Sequence, residues 1–321
     1  FRVFTMPIHK AFVTHLSQCT PEAFQEVGLY LFTNNAKALS FPTQCNLHLH
    51  EYSISCLSDG NSKIYKVTNR DQSEACILKL ERWSMPQEIQ DKFKKNPVLN
   101  NALAKVYFNE SCTIEYKIED KKYREKMNIQ IQPFCKGGTL ESAADKKMTD
   151  EERIDHALKL YTQVATFYIA LQQENILFPD GKPSNFTLNE NGELQLTDMK
   201  TYVASSTEAL KSCAQINTKS YQLYIPIPPP RQRDAVHARH FGMNLYAYLT
   251  GRKWDDFYVP RSNPKTPLPT TAYTYNNPIF QSFEGGLLAS LIQNMIADDP
   301  AQRPSVEDAQ KILNLIDNMR N

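Results

Sequence analysis

Between Phe178 and Met199 the chain carries a run of acids, an amide and a lysine whose spacing limits how the segment can fold. Phe178-Pro179-Asp180-Gly181-Lys182-Pro183-Ser184-Asn185 is followed, thirteen residues after Asn185, by the aspartate of Thr197-Asp198-Met199. The intervening residues read as a hairpin: Phe186–Leu188 and Leu194–Thr197 are short apolar strands, and Asn189-Glu190-Asn191-Gly192-Glu193 is the turn. Asp180, Lys182, Asn185 and Asp198 are thereby held at close range along the chain.

The periodicity on either side differs. Residues 1–46 read as a helical extension, with Pro21 at a first helical position and Phe24, Val27, Leu29 and Leu31 behind it. From Asn46 to Leu80 the texture is short strands separated by polar turns. Residues 84–109 read as helix broken near Pro97, with a second helical segment over about 98–108. Thr113 to Phe134 reads as two strands around Glu119-Asp120-Lys121-Lys122. Beyond Gly137-Gly138 the apolar spacing becomes helical over 150–173, 236–250, 285–297 and 305–319. The expected class is α+β, with a hinge at Cys135–Gly138.

Composition narrows the function classes. A net charge of +1 argues against a chain that seeks polyanions, so no nucleic-acid partner is expected. No apolar run approaches the ~20 residues of a transmembrane helix. Seven cysteines without a C-x-x-C pair fit free thiols in a reducing compartment, and a cytoplasmic location is expected. His48 and His50 stand without partner ligands, so no structural zinc is expected.

The side chains gathered around the hairpin suit phosphoryl transfer. That reaction asks the protein for a carboxylate to orient a hydroxyl, oxygen ligands for Mg²⁺ and a cation against the moving phosphate. The D-x-K-P-x-N stretch, the hairpin and the following T-D resemble the catalytic and metal-binding loops of eukaryotic-type Ser/Thr protein kinases. Three further stretches carry the resemblance in order. Cys76-Ile77-Leu78-Lys79-Leu80 is similar to the V-A-I-K strand, Phe241 to Gly251 to the buried central helix of the large lobe, and Asp298 to Ser305 to the D-P-x-x-R-P-[ST] segment. Together they cover roughly residues 50–317.

The resemblance implies a bilobal fold with a β-rich small lobe over residues 47–135 and a helical large lobe over 136–321. It implies ATP with Mg²⁺ or Mn²⁺, Asp180 orienting the acceptor hydroxyl, and Lys182 beside the phosphate. Asn185 and Asp198 become metal ligands, and Lys79 the grip on the α/β-phosphates. Gly60, Ser58 and Ser62 belong to a degenerate phosphate-covering loop. Ile64, Ile77, Gln132 and Phe134 line the nucleotide, Gln132 at the gatekeeper position, and Glu88 is the candidate partner of Lys79.

Departures accompany the match. Pro179 replaces the arginine that receives an activation-loop phosphate in the family, and Asp198-Met199-Lys200 replaces D-F-G. Ile227-Pro228-Pro229-Pro230 occupies the A-P-E region without a glutamate for Arg303, and His237 stands where the family opens its central helix with aspartate. The acceptor expected from the resemblance is a protein Ser/Thr hydroxyl. A catalytically silent binding module and a lipid or small-molecule phosphotransferase are the alternatives. Heavy remodelling around a retained catalytic set is similar to the kinases that intracellular bacteria deliver into host cytoplasm.

Overall fold

The computed structural model describes residues 8–17, 38–39, 52–59, 63–69, 71, 73–81, 85–118, 121–178, 180–197, 203–204, 234–257 and 268–320. Expectations placed on Thr20 to Leu31, His48, His50, Gly60, Ser62, Pro179, Asp198 to Lys200 and 205–233 lie outside these residues. The elements are α+β, and the chain divides into two compact units, residues 1–84 with 104–134 and residues 85–103 with 135–321.

In the first unit, six strands form one antiparallel sheet: β1 (Ala38–Leu39), β2 (Tyr52–Asp59), β3 (Lys63–Asn69), β4 (Ala75–Glu81), β5 (Phe108–Ile118) and β6 (Lys121–Pro133). Their order is β1-β2-β3-β4-β6-β5. The stretch read as wholly helical therefore also contributes a strand. Alternation gives the sheet two faces of opposite character. One face gathers Tyr65, Val67, Leu78, Leu80, Ile129 and Ile131 into an apolar cluster, joined by Val13 and Leu16 of helix α1 (Ile8–Ser17). On the other face, the register pairs Ile64 with Lys79, Lys66 with Ile77, Lys79 with Gln130 and Ile77 with Gln132. A sheet covered by a helix on one side needs apolar residues only there. The buried polar residues on the other side call for a different explanation.

The second unit begins with α2 (Gln87–Lys95), which buries Ile89 and Phe93, and α3 (Pro97–Ala102). Asn96 caps α3 by accepting from the amides of Val98 and Leu99. The helix expected to run to residue 108 stops at Ala102: Leu103 turns extended, and Tyr107 N donates to Ile131 O over 2.8 Å as the chain enters β5. Helix propensity across 103–108 loses to strand pairing.

A two-residue strand, β7 (Gly138–Thr139), leads into α4 (Leu140–Ala144), whose capping box joins Thr139 and Ser142. Thr149 and Glu152 form a second box at the start of α5 (Asp150–Gln173). Then come β8 (Ile176–Leu177), the hairpin β9 (Phe186–Leu188) and β10 (Leu194–Leu196), and β11 (Val203–Ala204), which pairs with β8. The β7 segment pairs with β9, so the expected hinge is sewn to the hairpin.

Helix α6 (Asp234–Thr250) is buried at every position from His240 to Leu249, as a helix enclosed on all sides must be. Helix α7 (Phe283–Met295) approaches α6 so closely that a Cβ on Gly242 would lie 2.7 Å from the Met295 Cβ. Helix α8 (Val306–Arg320) packs on α5 and is fastened there by Arg320 Nε, 2.8 Å from Asp155 Oδ1. Among the described residues, no helix is long and apolar enough to cross a membrane.

Candidate active site

The loop between β8 and β9 folds back on Asp180. Lys182 N donates to Asp180 O over 2.9 Å, and Asn185 N donates to Lys182 O over 3.0 Å, closing a short 3₁₀ turn at Pro183–Asn185. Three of the expected side chains meet there. Lys182 Nζ lies 3.0 Å from Asp180 Oδ2. Asn185 Nδ2 donates to Asp180 O over 2.7 Å and to Asp180 Oδ2 over 2.9 Å. Both amide hydrogens are thus committed to Asp180, which fixes the carboxamide orientation and makes Oδ1 the atom Asn185 can offer a metal ion. An oxygen donor of that kind fits Mg²⁺. Asp198, the other expected ligand, lies outside the described residues.

Aromatic packing and α6 hold the loop from below. The Phe178 ring is fully buried, edge-on to Phe167 and Phe186 at centroid distances of 6.3 and 5.7 Å. Phe178 N donates to His237 Nε2 over 3.0 Å. On the other side of Asp180, Gly181 O accepts from Asn244 Nδ2 over 2.6 Å. His237 and Asn244 are seven residues apart, two turns along one face of α6. His240 occupies the turn between them, 3.2 Å from where a Gly181 Cβ would sit, and the Tyr168 hydroxyl stands 2.2 Å from the same point. Gly181 is required here by space, because a side chain would enter the Tyr168 hydroxyl.

The electrostatics of this floor follow from burial. Burial pushes the Tyr168 phenol far above its ordinary range, and the Asp180 charge adds to the rise. Burial, then His240, pushes His237 down to about 3, while burial, then Arg239 and Arg303, pushes His240 down to about 4. Both rings are therefore neutral beneath the loop. With Nε2 accepting, the His237 proton is on Nδ1. Among the described residues, the Tyr168 hydroxyl, His237 Nδ1 and His240 Nδ1 have no hydrogen-bond partner.

Arg303 is anchored by carbonyls. Its guanidinium donates to Ala297 O and Ala235 O, each over 2.8 Å, tying the segment before α8 to the first turn of α6. Burial, then Arg239, lowers its pKa to about 10, which still leaves it charged at neutral pH.

In the first unit, Lys79 is 2% exposed and its Nζ lies 3.9 Å from Glu81 Oε1. Glu81, two residues along the same strand, shares the face of Lys79, a neighbour the alternation of β4 makes legible. Glu88, the expected partner, is exposed on α2 and pairs with Lys92 over 3.4 Å. Ile77 is buried, and Gln132, wholly buried, donates through Nε2 to Gln130 Oε1 over 3.4 Å. Lys66 Nζ sits 4.4 Å from the centre of the Phe134 ring. Ile64 is half-buried beside Lys79 across the ladder. The Ser58 backbone pairs with Ile64, while its side chain, with Gly60 and Ser62, is outside the described set.

No protein-family model matches the chain, and no curated protein matches it.

Proposed function

We propose that this protein is a divergent member of the eukaryotic-type protein kinase superfamily that transfers the terminal phosphate of ATP to Ser or Thr hydroxyls of a protein. The observation that carries this reading is the convergence of Lys182 Nζ and Asn185 Nδ2 on one oxygen of Asp180, at 3.0 and 2.9 Å, in a loop braced by α6. A carboxylate that receives a lysine ammonium and an amide N–H on one oxygen is fixed in orientation by charge-assisted hydrogen bonds. An ionised carboxylate is what orients an attacking hydroxyl, and Lys182 beside it supplies the cation such a reaction asks for.

The polar face of the first unit supports the same reading. A buried lysine–glutamate pair with two glutamines on the face of the sheet opposite α1 adds little to stability. It suits a surface that meets phosphates and a polar base. In this reading the first unit serves as small lobe and the second as large lobe, with Mg²⁺ or Mn²⁺ held by Asn185 Oδ1 and Asp198. The odd cysteine set suits a cytoplasmic setting.

The acceptor class is tested by incubating the protein with Mg²⁺, ATP and a mixture of generic protein acceptors, then mapping modified residues by mass spectrometry. Phosphoserine and phosphothreonine absent from an Asp180→Ala control are expected. Phosphate appearing only on lipid or small-molecule acceptors would replace the protein-kinase reading.

A further inference from the structure

We propose that two copies of this chain pair along the outer edge of β5, antiparallel and centred on Thr113, so that their six-stranded sheets become one. β5 ends the strand order, and among the described residues no strand lies beyond it. The opposite edge is blunted by β1, which is only two residues long. Two of the usual protections of an exposed edge, proline and a bulge, are missing from β5. It runs for 11 residues, against a common strand length of about 5–6. Its register with β6 continues without a break from Phe108 to Ile118.

The uneven support of this strand points to a second copy as the partner. β4 covers β6 only from Asn128 to Pro133. Beyond that, Cys112–Ile118 and Lys121–Met127 continue as a ribbon of two strands. A two-stranded ribbon is marginal in water, and a third strand stabilises it. When residue 113 faces its own counterpart, residues 112–118 of one copy lie against residues 114–108 of the other. Each ribbon then gains its third strand from the other copy, and all 11 residues of both β5 strands are paired.

The side chains suit the same register. A two-fold axis perpendicular to the sheet keeps like faces of the two copies on the same side. Cys112 comes opposite the second copy's Ile114, both buried on the apolar face that α1 joins. On the other face, Ser111 comes opposite the second copy's Glu115, which holds Arg124 of its own ribbon over 3.5 Å. Glu115 therefore meets a neutral hydroxyl and not a like charge.

The test measures the mass of the full chain by sedimentation equilibrium between about 1 and about 100 μM, with hydrogen exchange of the β5 amides at both concentrations. A dimer is expected at the upper end, with alternate β5 amides gaining protection as it forms. Ser111→Glu sets an acid opposite Glu115 twice per dimer and should raise the dimer Kd about tenfold or more. Ser111→Lys sets a cation there and should leave Kd unchanged or lower it severalfold. Both variants lose the same bond, Ser111 Oγ to Asn128 Oδ1 over 2.9 Å, so the difference between them reports the charge. Ser111 is exposed, so both are expected to fold, which far-UV circular dichroism checks. A monomer throughout the range overturns the proposal, whether the edge stays bare or takes a strand from another protein. A dimer whose Kd responds equally to both variants, or whose β5 amides gain no protection, overturns it too, because the contact then lies elsewhere.

Discussion

Asn185 spends both hydrogens of its amide on Asp180, one on the carbonyl oxygen at 2.7 Å and one on Oδ2 at 2.9 Å. On the proposed reading, the residue that would offer an oxygen to a metal is therefore the same one that fixes the carboxylate next to it. Asn185→Ala should damage both functions. Loss of a hydrogen bond to a charged, mostly buried group costs about 1–3 kcal/mol, so the denaturation midpoint should fall measurably. Nucleotide affinity in Mg²⁺ should fall as well, while affinity measured without divalent metal should stay at the wild-type value. Equal losses with and without metal would remove Asn185 from the metal site.

The contact behind Gly181 gives a sharper test of the loop geometry. A Cβ at residue 181 would lie 2.2 Å from the Tyr168 hydroxyl but 3.4 Å from the ring carbon that bears it. Gly181→Ala alone should cost about 1–3 kcal/mol through overpacking. Tyr168→Phe alone should be neutral or stabilising, because it removes a buried hydroxyl that has no partner among the described residues. The double variant should recover most of the stability lost by Gly181→Ala, and a strictly additive double-mutant cycle would contradict the contact.

Acid should weaken the fold through the two histidines beneath the loop. Their folded pKa values, about 3 for His237 and about 4 for His240, lie below the ordinary 6.5. Below pH 6.5 the unfolded chain takes up protons that the folded chain does not, so stability falls as pH falls, down to the folded values. At pH 5 each histidine should contribute about 2 kcal/mol of lost stability relative to pH 7.5. His156 shifts in the same direction through burial, then Lys146, Lys159 and Arg153, and adds to the slope. His237→Gln should flatten the pH dependence by one histidine's share, as read by denaturant titration. An unchanged slope would mean that His237 is not buried neutral.

Local pattern made much of this legible in the sequence. Residues 150–173 are spaced as the helix they form, and the β9–β10 hairpin closes around Gly192, whose φ of +76° only glycine adopts freely. The grouping of Asp180, Lys182 and Asn185 was legible for the same reason, since all three sit within one short loop. Pairings across long stretches of chain were not. Phe178 and His237 are 59 positions apart, and Arg303 finds Ala235 from 68 positions away. Nothing in the spacing marks an imidazole as the acceptor for a distant amide, or a backbone carbonyl as the partner of an arginine. Lys79 illustrates a third case: strand alternation alone puts Glu81 on its face of β4, where the two side chains lie 3.9 Å apart.

The central claim is that Asp180 orients a hydroxyl for phosphoryl transfer, and the most direct measurement compares wild type with Asp180→Asn in turnover and nucleotide affinity together. With Mg²⁺ and γ-labelled ATP, the wild type should label a protein acceptor. Asp180→Asn should lower that rate by ~10²–10⁴-fold with nucleotide affinity within about twofold, because the carboxylate acts on the acceptor and not on ATP. Labelling by Asp180→Asn at the wild-type rate, or no labelling by the wild type with any divalent metal, would contradict the account.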